Sequence, residues 1–136
     1  MTRQEFQRLA ELHLRAAMAL LQKRHPAGAY YLAGYAVECA LKACIAKKTR
    51  AHSFPPKHAR DMYTHELRRL VALAGPEHRL RQDAPPGSLL DQNWSTVNRW
   101  SEEARYERRT SREARDLLAA ITDSEHGVLT WLRQSW

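Results

Sequence analysis

The chain has 136 residues, 43% of them hydrophobic, which suits one domain with a buried core and excludes a disordered tail. Only 5 Gly and 6 Pro stand among abundant Ala, Leu, Arg and Glu, a helix-forming composition, and 22 basic against 15 acidic residues leave a formal charge of +7 that suits an anionic partner. The opening Met1-Thr2-Arg3-Gln4-Glu5 lacks the apolar run of a signal peptide, and no stretch is long and apolar enough to span a membrane, so a cytoplasmic location is expected.

The first predicted helix covers residues 4–23, where Phe6, Leu9, Ala10, Ala16, Ala17, Leu20 and Leu21 share a face and Pro26 and Gly28 mark the end. His13 projects to the middle of that face, either as a core-edge histidine with a local partner or as one wall of a polar cleft. The second helix runs from residue 30 to about 48 and ends in Lys47 and Lys48, whose charges suit the negative end of the helix dipole. At about 100° per residue, Tyr31, Gly34, Tyr35, Glu38 and Lys42 fall on one narrow polar stripe of this helix, and apart from Tyr30 the other positions are apolar. The stripe either faces water or lines a cleft or dimer seam with His65, Arg105 and Tyr106. Cys39 and Cys44 lie about 140° apart around the axis, cannot bridge each other, and read as small buried hydrophobes in a reducing compartment.

Residues 49–63 contain Pro55-Pro56, which argues against a helix there. A short third helix is expected from Thr64, with Leu67, Leu70, Val71 and Leu73 inward, stopped by Gly75-Pro76. Residues 77–88 read as a polar connection. A fourth helix is expected over residues 89–103, with Trp94, Val97 and Trp100 inward. The last begins at a capping box, Thr110 with Glu113, and continues through Leu117, Leu118, Ile121, Val128, Leu129 and Leu132. No segment shows the alternation of a strand. The expected fold is all-α, an up-and-down bundle of four main helices plus a short fifth, in one domain spanning the chain.

The run from Arg105 to Arg112 is the best anion candidate: Arg105, Arg108, Arg109 and Arg112 surround a predicted helix N-terminus, and Tyr106 can stack on a base. Against this, Glu102, Glu103, Glu107 and Glu113 balance the charge, as on an ordinary solvated face. His52, His58 and His65 with Asp61 lack a metal-site spacing, so no metal and no cofactor are expected. A phosphate-binding glycine loop, a paired-cysteine zinc pattern and a nucleophile elbow are all absent from the sequence.

Gly34-Tyr35-Ala36-Val37-Glu38-Cys39-Ala40-Leu41-Lys42 resembles the second-helix signature of HEPN domains. His65-Glu66-Leu67 is similar to the His-acidic-Leu that begins that family's next helix, and Trp100 with Arg105-Tyr106 resembles its Trp and Arg-Tyr elements; the order fits over residues 5–134. The resemblance implies a homodimeric bundle of the kind found in toxin–antitoxin pairs, beside minimal nucleotidyltransferases and in nucleotide-binding modules. Catalytic members cleave RNA without a metal, using Arg, four to six residues and then His at a late helix. That motif is missing here: after Arg105-Tyr106 no histidine follows until His126. Arg8 to His13 and Arg60 to His65 have the spacing elsewhere, and about two such pairs arise by chance in so basic a chain. The first expectation is therefore a noncatalytic HEPN-like module that engages a nucleotidyltransferase partner, a nucleotide or RNA. Its phosphate would be held by Arg105, Arg108, Arg109 and Arg112, in a cleft shaped by Tyr31, Tyr35, Glu38, Lys42 and His65. One alternative is a ribonuclease toxin with His65 or His13 as base and Arg105 on the phosphate; another is a helical adaptor without ligand.

Overall fold

The computed structural model describes residues 1–48 and 63–136, with residues 76–78 described by their backbone alone. Pro55-Pro56, His52, His58 and Asp61 lie outside the described residues. Within them the chain forms α1 (Arg3–Gln22), α2 (Pro26–Lys48), α3 (Leu67–Ala74), α4 (Pro76–Asp83), α5 (Leu89–Asn98), a 3-10 turn (Glu102–Tyr106), α6 (Ser111–Thr122) and α7 (Val128–Arg133). No strand occurs among the described residues, and the protein is an all-α helical bundle.

α2 is the central element. Fifteen of its 23 residues are buried, because α1, α3, the 3-10 turn, α6 and α7 all pack on it. An axis so enclosed must be apolar nearly all round, as its Ala, Leu, Val, Ile and Cys content dictates. α1 joins it as an antiparallel hairpin, burying Phe6, Ala10, Leu14 and Ala17. The hairpin differs from expectation at the corner: Pro26 does not only end the first helix but opens the second, at the position where a missing N–H costs nothing. Arg24 makes the turn with φ of 64°.

The expected capping box forms, and a second one that the sequence reading did not single out stands at the start of α1. Thr110 and Glu113 cap α6 reciprocally, and Thr2 with Glu5 does the same for α1. Thr64 is not the cap of α3; its Oγ1 accepts from the Glu66 N–H at 3.2 Å, and the helix begins at Leu67. Gly75, at φ of 78°, closes α3 and at once starts α4, so most of the expected connection 77–88 is helical. α5 stops at Asn98, short of the expected residue 103, and Trp100 reaches the core from the loop that follows. The last helix is broken: the Asp123 side chain accepts from the N–H groups of Glu125 and His126, turning the chain between α6 and α7. Three polar ties lock the periphery. Trp131 Nε1 donates to Asp83 at 2.8 Å, Asn93 Nδ2 donates to the His126 carbonyl at 2.8 Å, and Arg133 forks onto Glu11 at 2.7 and 2.9 Å.

Candidate functional site

The site is built on the stripe of α2, beginning with a residue that has no side chain. A Cβ at Gly34 would lie 2.3 Å from three carbons of the Trp100 indole, so only glycine lets the ring lie against the α2 backbone. Trp100 is 3% exposed there, and its Nε1 is buried without a hydrogen-bond partner among the described residues. From it a ladder of rings runs along the stripe. Tyr31 stacks on Trp100 with centroids 6.2 Å apart and on Tyr35 at 6.0 Å, and His13 of α1 meets Tyr35 edge-on at 4.8 Å. His13 thus has an aromatic partner at the core edge. Burial pushes its pKa below the ordinary 6.5, with Glu38 opposing.

One turn further, Glu38 is completely buried and Lys42 is 8% exposed. Glu38 Oε2 accepts from Lys42 Nζ at 3.2 Å, while Oε1 lies 2.9 Å from Nδ1 of His65. His65 Nε2 in turn lies 3.2 Å from Glu102 Oε2. The chain Lys42–Glu38–His65–Glu102 therefore links α2, the approach to α3 and the 3-10 turn. A buried carboxylate without partners would be strongly disfavoured, and its two cation-capable neighbours account for its presence. Both His65 nitrogens face carboxylate oxygens, so only a ring carrying hydrogen on both can donate to both. The stripe does not face water.

His65 separates two cavities. The larger, about 550 Å³, is lined by Thr64, His65, Glu66, Arg68, Trp100, Glu102 and Glu103 among others; the smaller, about 340 Å³, by Phe6, Tyr35, Glu38, Cys39, Lys42, Tyr63 and His65 among others. Glu66, Glu102 and Glu103 against Arg68 and His65 make the larger cavity unsuited to phosphate and suited to hydrogen-bond donors. Burial pushes the Cys39 thiol up to about 12, so it is an inert wall of the smaller one.

The arginine run divides. Arg109 bonds Glu107 and Glu113 (3.1 Å for the latter), and its guanidinium carbon lies 4.2 Å over the Tyr30 ring. It is a structural clasp that does not offer itself to solvent anions. The start of α6 is likewise filled by its own capping box, which places the Glu113 carboxylate where the free N–H groups were expected to draw phosphate. Arg108 and Arg112 are exposed. Arg105 lies over the Tyr106 ring at 4.8 Å and is favoured in its charged form first by the Tyr106 oxygen, with Tyr31 and Glu102 adding to it. Arg105 and Tyr106 both belong to the 3-10 turn that packs on α2, where Arg105 is exposed and Tyr106 is 77% exposed.

The structure thus brings Tyr31, Tyr35, Glu38, Lys42 and His65 into one site with Arg105 and Tyr106 at its rim, and leaves Arg109 out of it. Glu102, taken from sequence only as a counter-charge, is the residue that sequence reasoning missed; it lies two residues after Trp100, and nothing local distinguishes it from Glu103. Among the described residues no group of three or more His, Cys, Asp or Glu could hold a metal ion, and no helix is long and apolar enough to cross a membrane. Comparison with known protein families, curated proteins and solved structures returned no match to the chain.

Proposed function

We propose that this protein is a noncatalytic, HEPN-like binding module that engages single-stranded RNA or a nucleotide at the Tyr31–Arg105–Tyr106 rim. The observation that carries the noncatalytic reading is the closed state of His65, whose two ring nitrogens are each taken by a carboxylate. A general base needs a free ring nitrogen aimed at the proton it removes. Binding is supported by the half-buried ring ladder ending beside an exposed guanidinium, the combination that stacks bases and tracks a phosphate backbone. Arg105, Arg108 and Arg112 would meet phosphate, Tyr106 would stack, and the carboxylate-rich cavity beneath would receive base amino groups. Homodimerisation and a nucleotidyltransferase partner enter this proposal through the family resemblance alone.

The test is fluorescence anisotropy with a labelled single-stranded RNA in EDTA, read for both binding and cleavage. Binding should weaken with salt, and each of Arg105→Ala, Arg108→Ala and Arg112→Ala should reduce the slope by about 0.7. Arg109→Ala should leave it unchanged. Cleavage abolished by both His65→Ala and Arg105→Ala would replace this reading with the ribonuclease one. Absence of binding would leave the adaptor.

A further inference from the structure

At the far end of α2, about 20 Å along its axis from Tyr31, three cations close on a separate cavity of about 360 Å³. Its lining includes Lys47 and Lys48 from the end of α2, Gly75 between α3 and α4, Arg79 from α4, and Cys44 and Ser135. Among the described residues the lining holds no carboxylate. Asp83 lies outside it, 3.9 Å from Arg79 Nε, with its Oδ2 already accepting the Trp131 indole. Gly75 keeps the corner open: a Cβ there would sit 1.9 Å from Lys48 Nζ, so the missing side chain lets the ammonium group lie against the turn.

The carbonyl ends of nearby helices draw cations, but a helix end carries only about half an elementary charge. The ends of α2, α3 and α7 offset about one and a half charges, and the start of α4, which has no side-chain cap, returns about half. With the Asp83 carboxylate beside Arg79 also counted, the three cations keep about one positive charge unbalanced among the described residues. A second sign is independent of this count. Arg79 Nη2 is buried without a hydrogen-bond partner among the described residues. Burial pushes the Cys44 thiol up, and the Ser135 hydroxyl with the charges of Arg79, Lys47 and Arg3 works against it.

We infer that this cavity is a second anion site, separate from the RNA-facing rim, which takes a phosphate group through Lys47, Lys48 and Arg79. A phosphate anion supplies the negative charge that the described residues lack, and a cavity of about 360 Å³ has room for it. The ligand is either free phosphate or the phosphate of a small ester, and both present the same oxygens.

The experiment is a ¹H–¹⁵N correlation titration of the whole chain at fixed ionic strength, with inorganic phosphate in one arm and adenosine monophosphate in the other. Saturable shifts of the Gly75 and Ser135 amides are expected. Lys48→Met, at an exposed position that should not disturb folding, should weaken binding about tenfold, the loss of one charge-assisted hydrogen bond. Arg79→Gln should do the same, and Arg105→Ala should have no effect. Tighter binding of the nucleotide would assign the site to a phosphate ester, equal binding to the bare anion. Shifts confined to residues 105–112, no saturable shift in either arm, or an affinity indifferent to Lys48→Met would each overturn the inference. RNA binding at the rim can fail without touching this result, because the two sites share no residue.

Discussion

Replacing Gly34 with alanine tests the geometry on which the site depends. The new methyl group would stand 2.3 Å from Cδ1, Cδ2 and Cε2 of Trp100, where ordinary contact begins at 3.4 Å, so the ring must retreat by about 1 Å. Gly34 itself lies on the most enclosed helix of the fold, which has little freedom to move instead. Overpacking of this kind costs about 1–3 kcal/mol, and a rigid indole met by three of its atoms belongs at the upper end. Alanine returns about 1 kcal/mol through helix propensity. The expected net loss is about 2 kcal/mol, equivalent to a Tm lower by about 8 °C for a chain of this length. In a Trp100→Ala background only the propensity term survives, so the same substitution should stabilise by up to about 1 kcal/mol. Urea unfolding followed by far-UV circular dichroism on the four proteins of the cycle gives the coupling, expected at about 3 kcal/mol. Equal effects of Gly34→Ala in both backgrounds would refute the close approach of Trp100 to α2.

Glu38→Gln removes the charge from a fully buried acceptor and leaves the buried Lys42 without its paired carboxylate; a loss of about 3–5 kcal/mol is expected in the same assay, and much less for Glu38→Leu combined with Lys42→Met. Cys39, with its pKa near 12, should have a thiolate fraction of about one in ten thousand at pH 8 and react with a thiol reagent only as fast as the protein opens. His13 has its pKa lowered in the folded protein, so the unfolded chain binds the proton first as the pH falls below 6.5. Stability should be complete above that pH and decline below it, and His13→Asn should flatten the decline when urea midpoints at pH 7.5 and 5 are compared. Arg109→Ala should cost about 1–2 kcal/mol by removing the clasp on Tyr30, with RNA affinity unchanged, whereas Arg105→Ala should show the reverse pattern.

The parts of the fold that were legible from sequence are those whose signal is local. A Thr with Glu three residues on places the start of α6, and the apolar period places the face of α1. α4 escaped because it is a polar helix whose only large apolar side chain, Leu80, is half-buried; without a stripe there is no period to read. The break before α7 escaped for the opposite reason. Ile121 and Val128 are seven apart, a spacing that an unbroken helix satisfies equally well, and the turn is made by a single Asp side chain and Gly127. Arg109 was misplaced because a charged residue in a charged run gives no sign of which partner it will choose.

The site was half legible for a reason that bears on what it does. The stripe on α2 shows from sequence alone that polar groups stand where packing would prefer apolar ones, and Glu38 is the extreme case at 0% exposure. What periodicity cannot supply is the far side of the contact. His65 lies 27 residues away, just before α3, and Trp100 and Glu102 arrive from the loop and 3-10 turn after α5, where sequence reading had expected a helix. A buried carboxylate bonded to Lys42 and His65 returns in pairing little more than its desolvation costs, so the arrangement adds little to stability. The arrangement instead fixes the imidazole between two cavities and, through Gly34, holds Trp100 flat beneath Tyr31. Fixed orientation of this kind is what the proposed RNA-facing surface requires, since rings and a guanidinium must meet a strand in one geometry.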